Sequence, residues 1–187
     1  MTQTLRADAQ DNRDRLVAAA RSLFAERGLD VGMREVARRA QVGPATLYRR
    51  FPTRQALVDE AFTVELQSCR AIVEQGCADD DPWRGLASVI ERITVLNVRN
   101  RGFVDAFMSA DPAAAAFTEH RRELLSMLDD LGRRARATGE LRADFVIDDL
   151  VLILLTGRGL TAVTAEARDA AARRFATLAI DGLRARG

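Results

Sequence analysis

Two prolines frame a short stretch that leaves the backbone little choice. Between Gly43-Pro44 and Phe51-Pro52 lie Ala45-Thr46-Leu47-Tyr48-Arg49-Arg50. Proline at a first helical position loses nothing, because its missing N–H would have no intrahelical partner, and the glycine before it can act as N-cap. The helix must end before Phe51-Pro52. Leu47 and Phe51 are four apart and share one face. Thr46, Tyr48, Arg49 and Arg50 fall on other faces and offer a hydroxyl, a phenol and two guanidiniums. A donor-rich, basic surface on a small apolar anchor suits a helix laid in the major groove of DNA.

The residues on either side extend the pattern. Met33, Val36, Ala37 and Ala40 follow the i, i+3, i+4, i+7 spacing of a helix, with Arg34, Arg38 and Arg39 outside it. Gln41-Val42-Gly43 is then a three-residue turn, and two short helices joined in this way make a helix-turn-helix. An earlier helix fits Asp11 to Arg27 through Leu16, Val17, Ala20, Leu23 and Phe24, with Gly28 as a left-handed stop. Residues 1–10 carry no periodicity and are expected to form a loose arm.

Charge is distributed unevenly. From Val31 to Arg54 there are six Arg and one acid, a net of +5, whereas residues 61–187 hold 17 Arg and 19 acids, a net of −2. The local excess is the footprint of a nucleic-acid reader whose second half has other work. All 28 basic residues are Arg. Bidentate recognition of phosphate or guanine explains that in part, but the bias extends far from any site and fits a G+C-rich genome better.

Thr53 caps a further helix, expected over 54–75, with Val58, Phe62, Leu66, Cys69, Ile72 and Val73 inside. Asp79-Asp80-Asp81-Pro82 opens the next, 82–98, with Trp83, Leu86, Ile90, Ile93 and Leu96. Shorter and longer apolar patterns follow over 103–110, from 112 to Gly139, over 144–163 and over 166–184. No segment alternates with period two for long enough to be a strand. The fold class is therefore all-α with about nine helices, divided into an N-terminal helix-turn-helix domain, 1–53, and a C-terminal helical domain, 54–187, to which the family resemblance given below assigns ligand binding and dimerisation. Cys69 and Cys77 are eight apart on one helix, about 12 Å by the helical rise, too far for a disulfide. They read as free thiols of a reducing compartment. The polar N-terminus and the shortness of the apolar run Leu150–Leu155 point to a cytoplasmic protein without a membrane span.

Residues 16–61 resemble the DNA-binding domain of the TetR family of bacterial transcriptional regulators. The resemblance is carried by Leu23-Phe24-Ala25-Glu26-Arg27-Gly28, by Arg34-Glu35-Val36-Ala37-Arg38-Arg39-Ala40 and by Thr46-Leu47-Tyr48-Arg49-Arg50-Phe51-Pro52-Thr53-Arg54-Gln55-Ala56-Leu57. The end of the chain, Leu178 to Arg184, is similar to the last dimerisation helix of one branch. Three positions depart from the pattern. Gly32 stands where a hydroxyl often caps the second helix, Gln41 where the turn often begins with Gly, and Gly43 where Ser often caps the recognition helix. If the turn needs φ > 0, Gln41 costs on the order of 1 kcal/mol. The resemblance implies a DNA interface formed by Arg34, Pro44, Ala45, Thr46, Tyr48, Arg49, Arg50 and Arg54. Arg49 and Arg50 can read guanine or neutralise phosphate. Tyr48 and Thr46 suit phosphates, and Pro44 and Ala45 offer only close approach and contact to a thymine methyl. Arg54 opens its helix, where amides and guanidinium together could hold one phosphate.

His120, the one histidine, lies on the apolar face of its helix. It is either a satisfied core residue or a polar handle in a ligand cavity lined by Phe62, Leu66, Cys69, Trp83, Phe107, Phe117 and Leu124, each of which serves equally as ordinary core. Leu150–Leu155 is apolar all round and must be buried on every side. With Leu150 and Leu154, the stripe Ala171, Phe175, Leu178 and Gly182 makes a candidate four-helix interface across a two-fold axis. The expected function is a dimeric regulator, a repressor by preference, that binds a near-palindromic operator on double-stranded DNA and is released by a small apolar or amphipathic ligand. An enzyme is disfavoured, with no cofactor and no metal expected. One His and two distant Cys make no zinc cluster, residue 117, three before His120, is Phe rather than the Glu of a di-iron motif, and Gly157-Arg158-Gly159 lacks the third glycine of a dinucleotide loop. A non-specific architectural DNA binder conflicts with the acidic C-terminal two-thirds.

Overall fold

The computed structural model describes residues 2–109, 111–156, 159–160 and 164–185, with side chains from residue 9 onward except at Pro112. Among these residues the helices are α1 Thr2–Arg27, α2 Met33–Arg39, α3 Pro44–Arg50, α4 Arg54–Ala61, α5 Thr63–Cys77, α6 Pro82–Arg99, α7 Arg101–Phe107, α8 Ala115–Ala137, α9 Ile147–Thr156 and α10 Ala165–Leu183, with one 3-10 turn at Pro112–Ala114. The all-α class stands. The ends of two expected helices, Ala110 and much of 157–163, lie outside the described residues, as do Gly157 and Arg158.

Two boundaries differ from the sequence reading. α1 begins at Thr2, so the expected loose arm is helical. Further along the same helix, the polar pairs Gln10 to Asp14 at 2.8 Å and Arg15 to Asp11 at 3.0 Å supply i,i+4 support. The single helix expected over 54–75 is two helices, broken at Phe62, whose φ of −108° and ψ of 11° lie outside the helical well. Thr63 follows with its Oγ1 donating to the Asp59 carbonyl at 3.0 Å, a back-bond of the kind that bends helices.

The chain packs as two compact units, Met1–Val64 with Arg101–Phe117, and Glu65–Asn100 with Thr118–Gly187. The division expected at 53/54 followed the motif; packing assigns 54–64 and 101–117 to the first unit. The reason is aromatic. Phe62 lies 5.9 Å from Phe24 and 5.9 Å from Phe103, and Phe103 lies 5.7 Å from Phe107 and 6.5 Å from Phe117, in tilted and edge contacts. α1 is the centre of this unit and packs on α2, α4 and α7. α7 comes so close that a Cβ on Gly102 would stand 2.4 Å from the Phe24 carbonyl oxygen.

In the second unit α6 is central. It packs most extensively on α10 and also on α9. Trp83, Leu86, Val89, Ile90 and Ile93 are its buried face. Asp81, in the acidic stretch expected to open this helix, caps it by accepting from the Arg84 amide at 3.0 Å. Arg184, just past α10, pairs in an antiparallel bridge with Leu141 and sets its guanidinium 5.2 Å above the Trp83 ring.

Candidate nucleic-acid interface

The helix-turn-helix is built by two kinds of helix end. α2 closes in a Schellman motif: the Val42 amide donates to the Ala37 carbonyl at 3.0 Å and the Gln41 amide to Arg38 at 3.1 Å. That motif places the intervening residue in the left-handed region, and Gln41 has φ 55°. Val42, 8% exposed, tucks into the core beyond it. α3 then starts at Gly43 with φ −63° and ψ 142°, Pro44 in the first turn and no side-chain cap. Leu47 is fully buried and Phe51 nearly so, while Pro44, Ala45, Tyr48, Arg49 and Arg50 are exposed and Thr46 half-buried. The expected anchor and presented face are both present.

The strain at Gln41 is testable. Gln41→Gly removes a left-handed penalty of about 1–2 kcal/mol and loses part of it to chain entropy. A net gain of about 1 kcal/mol should raise the thermal midpoint by roughly 2–4 °C. An unchanged or lower midpoint in a circular-dichroism melt would show that the turn stores no strain.

The basic residues divide into two sets. Glu35 accepts from Arg27 and lies 3.5 Å from Arg38, so these two are engaged within the protein. Arg54 is engaged as well: its Nη1 donates to the Val31 carbonyl at 2.5 Å and its guanidinium sits 5.8 Å from the Phe24 ring centroid. The sequence reading offered Arg54 to a phosphate. In the structure one of its nitrogens fastens the loop before α2 to the start of α4, and the residue remains exposed. Arg34, Arg39, Arg49 and Arg50 make no ion pair or hydrogen bond with any described side chain or carbonyl and are exposed.

The residues suggested for a ligand cavity are divided between the two compact units. Phe62, Phe107 and Phe117 belong to the aromatic core of the first unit. Trp83 is in the second unit under Arg184. Leu66, Cys69, His120 and Leu124 are also in the second unit, where Cys69 and Leu124 are buried. His120 hydrogen-bonds to the main chain of Leu66; burial, and then the Arg70 charge, hold its pKa below the usual histidine value against an opposing pull from Glu123. Burial pushes the Cys69 thiol up to about 12, so it stays protonated. Both cysteines are free thiols.

Sequence reasoning missed a buried polar row. Thr94 and Asn97 on α6 and Asn100 at its C-cap recur at i, i+3 and i+6, and all are buried, as is Glu65. Asn97 Nδ2 donates to the Leu154 carbonyl at 3.2 Å and Asn100 Nδ2 to Glu65 Oε1 at 3.1 Å. Thr94 Oγ1 has no hydrogen-bond partner among the described residues. The spacing was visible in the sequence, but a search for apolar stripes passes over a polar one.

Of the residues suggested for a dimer interface, Leu150 is fully buried within its own chain and has no surface left for a partner. Leu154, Ala171 and Phe175 are half-buried, Gly182 is exposed, and Leu178 is 55% exposed. α9 adds Leu152, 65% exposed, which the sequence reading did not single out.

An all-α chain with a Schellman-closed, proline-started helix-turn-helix and four unengaged arginines on or beside it is of the DNA-binding helix-turn-helix class. Comparison with known proteins makes the assignment narrower. Residues 16–61 match the model for bacterial regulatory proteins of the tetR family, and residues 81–185 match the C-terminal domain of SbtR-like transcriptional regulators. The chain is 30% identical to the HTH-type transcriptional repressor KstR of Mycolicibacterium smegmatis over 147 residues, 75% of this chain and 71% of that protein. Among solved structures, the TetR regulator SCO0520 from Streptomyces coelicolor is 32% identical, with TM-score 0.55, covering 94% of this chain and 99% of that one. A TetR regulatory protein from Mycobacterium vanbaalenii is 30% identical, with TM-score 0.56, covering 96% and 99%. The chain belongs to the TetR family and is a DNA-binding transcriptional regulator.

Proposed function

We propose that this chain is a homodimeric repressor whose two α3 helices enter successive major grooves of a near-palindromic operator, and that a small apolar or amphipathic effector bound in the second unit releases it. The observation that carries the reading is the set of unengaged, exposed arginines 34, 39, 49 and 50 around α2 and α3. Phosphate contacts of this kind supply affinity and make it fall steeply with salt. Repression is favoured by the likeness to KstR, a transcriptional repressor. Pro44, Ala45, Thr46 and Tyr48 complete the DNA face, with Arg54 supporting it from behind rather than touching DNA. A non-catalytic, cytoplasmic role accords with this reading.

Dimerisation is assigned to α9 and α10. Leu152 and Leu178 expose large apolar side chains beside the half-buried Leu154 and Phe175, and a two-fold pairing of these helices would cover them. The effector is assigned to the second unit, near Leu66, Cys69, His120 and Leu124 or the polar row on α6. An unsatisfied buried hydroxyl such as Thr94 Oγ1 costs about 1–3 kcal/mol, and a ligand polar group that satisfied it would recover that. Release then follows only as far as the effector binds the two dimer states unequally. α5, whose first two residues count with the DNA-binding unit and the rest with the other, is the covalent lever.

Leu178→Arg tests the dimer. The variant should sediment as a monomer and lose about ten- to a hundredfold in operator affinity, since the second half-site would no longer be held at high effective concentration. A variant that remained dimeric with full affinity would move the interface elsewhere.

A further inference from the structure

The orientation of α3 assigns its side chains to different parts of the operator, an inference that rests on the reading of α3 as the groove-entering helix. Successive residues turn by about 100°. With Leu47, fully buried, taken as the direction of the core, Ala45 and Arg49 fall at about 160° and 200°, within about 20° of directly outward. Tyr48 falls at about 100° and Thr46 at about 260°, on the two flanks, while Arg50 and Pro44 lie nearer the body of the protein. Ala45 and Arg49 are exposed, as are Pro44, Tyr48 and Arg50, and Thr46 is half-buried. Space is open at the leading edge, where a Cβ on Gly43 would meet nothing within 4 Å.

The outermost line of the helix thus carries one methyl group and one guanidinium. Arg49 has no partner among the described residues, so no ion pair must be broken before it reaches a base. In the major groove a methyl group reads the thymine C5-methyl, and a guanidinium reads guanine O6 and N7 as a bidentate pair. Tyr48 and Thr46 stand at the sides, where the phosphate walls are. Four helical residues span about 6 Å, and base pairs are stacked about 3.4 Å apart. We propose that each operator half-site carries a guanine read by Arg49 and, within two base pairs of it, a thymine whose methyl group packs on Ala45.

The test uses the full-length protein and the site it selects from random-sequence DNA. Each half-site thymine is replaced by deoxyuridine, which removes only the methyl group. Each guanine is replaced by 7-deazaguanine, which removes only N7. One deoxyuridine position, substituted in one half-site at a time, should weaken binding by about fourfold, the worth of one buried methyl. One 7-deazaguanine position should weaken it by about fivefold or more. Ala45→Gly should lose the first sensitivity and keep the second, and Arg49→Gln should do the reverse, with helicity by circular dichroism checking that both variants fold. An enriched inverted repeat indifferent to both replacements, or sensitivities that persist in the matching variants, would overturn the assignment alone. No enriched site at all would overturn the operator reading and this assignment with it.

Discussion

Phe62→Ala should lower stability by about 4 kcal/mol, in the range for emptying a buried phenylalanine site. Phe62 is fully buried and touches Phe24 and Phe103 at 5.9 Å each. Both rings belong to other helices of the same unit, so deletion removes the link between α1, the α4–α5 break and α7 at once. Aromatic pairs contribute about 0.5–1.5 kcal/mol beyond area burial, and two such pairs would go. The thermal midpoint should fall by roughly 10 °C, with operator binding lost in parallel as α1 loosens beneath α2. A ligand-cavity role, the one sequence reasoning suggested, predicts a different result: a loss under about 1 kcal/mol, because a cavity wall has less packing to lose. A melt near wild type would restore that role.

Gly85→Ala should be nearly as damaging, against the usual trend. In a helix interior, alanine is ordinarily better than glycine by about 1 kcal/mol. At Gly85 the added Cβ would stand 2.2 Å from the Gly76 carbonyl oxygen and 3.2 Å from the Asp79 Cβ. The first is backbone of α5, which cannot swing aside like a side-chain tip, so the α5 and α6 main chains must separate. Overpacking of this sort costs about 1–3 kcal/mol or more, and steric overlap with a main-chain atom lies at the upper end. A net loss of about 3 kcal/mol is expected, read as an earlier fluorescence transition of Trp83, the one tryptophan, which lies in the same unit. Gly182→Ala is the internal control. A Cβ there meets nothing within 4 Å of its own chain, so the monomer should gain a few tenths of a kcal/mol up to about 1. Equal effects at the two positions would show that the α5 and α6 main chains do not meet at Gly76 and Gly85.

The helix-turn-helix was legible because its signals are local. Pro44 and Pro52 frame α3, Leu47 and Phe51 give its buried side, and the strain expected at Gln41 follows from a turn whose hydrogen bonds need a positive φ. The cap at Thr53 was likewise written in a single residue. What escaped the sequence is set by distant partners. Arg54 looked free because the Val31 carbonyl that it binds is 23 residues away. Phe62, Phe107 and Phe117 looked like candidate cavity walls because nothing local says that Phe24 and Phe103 will draw them into one core. α4 and α5 read as one helix because the apolar period carries through Phe62 unbroken, and only the Thr63 back-bond and the pull of the aromatic cluster divide them. Leu150 shared an apolar run with Leu154, and periodicity did not distinguish the residue facing its own chain from those left for a partner.

The central claim is that α3 reads a specific DNA sequence as one of a symmetric pair. Selection from random-sequence duplex DNA by the purified full-length protein, sequenced before and after enrichment, tests it most directly. The account predicts one inverted repeat whose half-site centres lie about one helical turn apart or a whole multiple of it, bound by a dimer and weakened steeply by salt. A pool that emerges unchanged, or enrichment of a single half-site bound by a monomer, would contradict it.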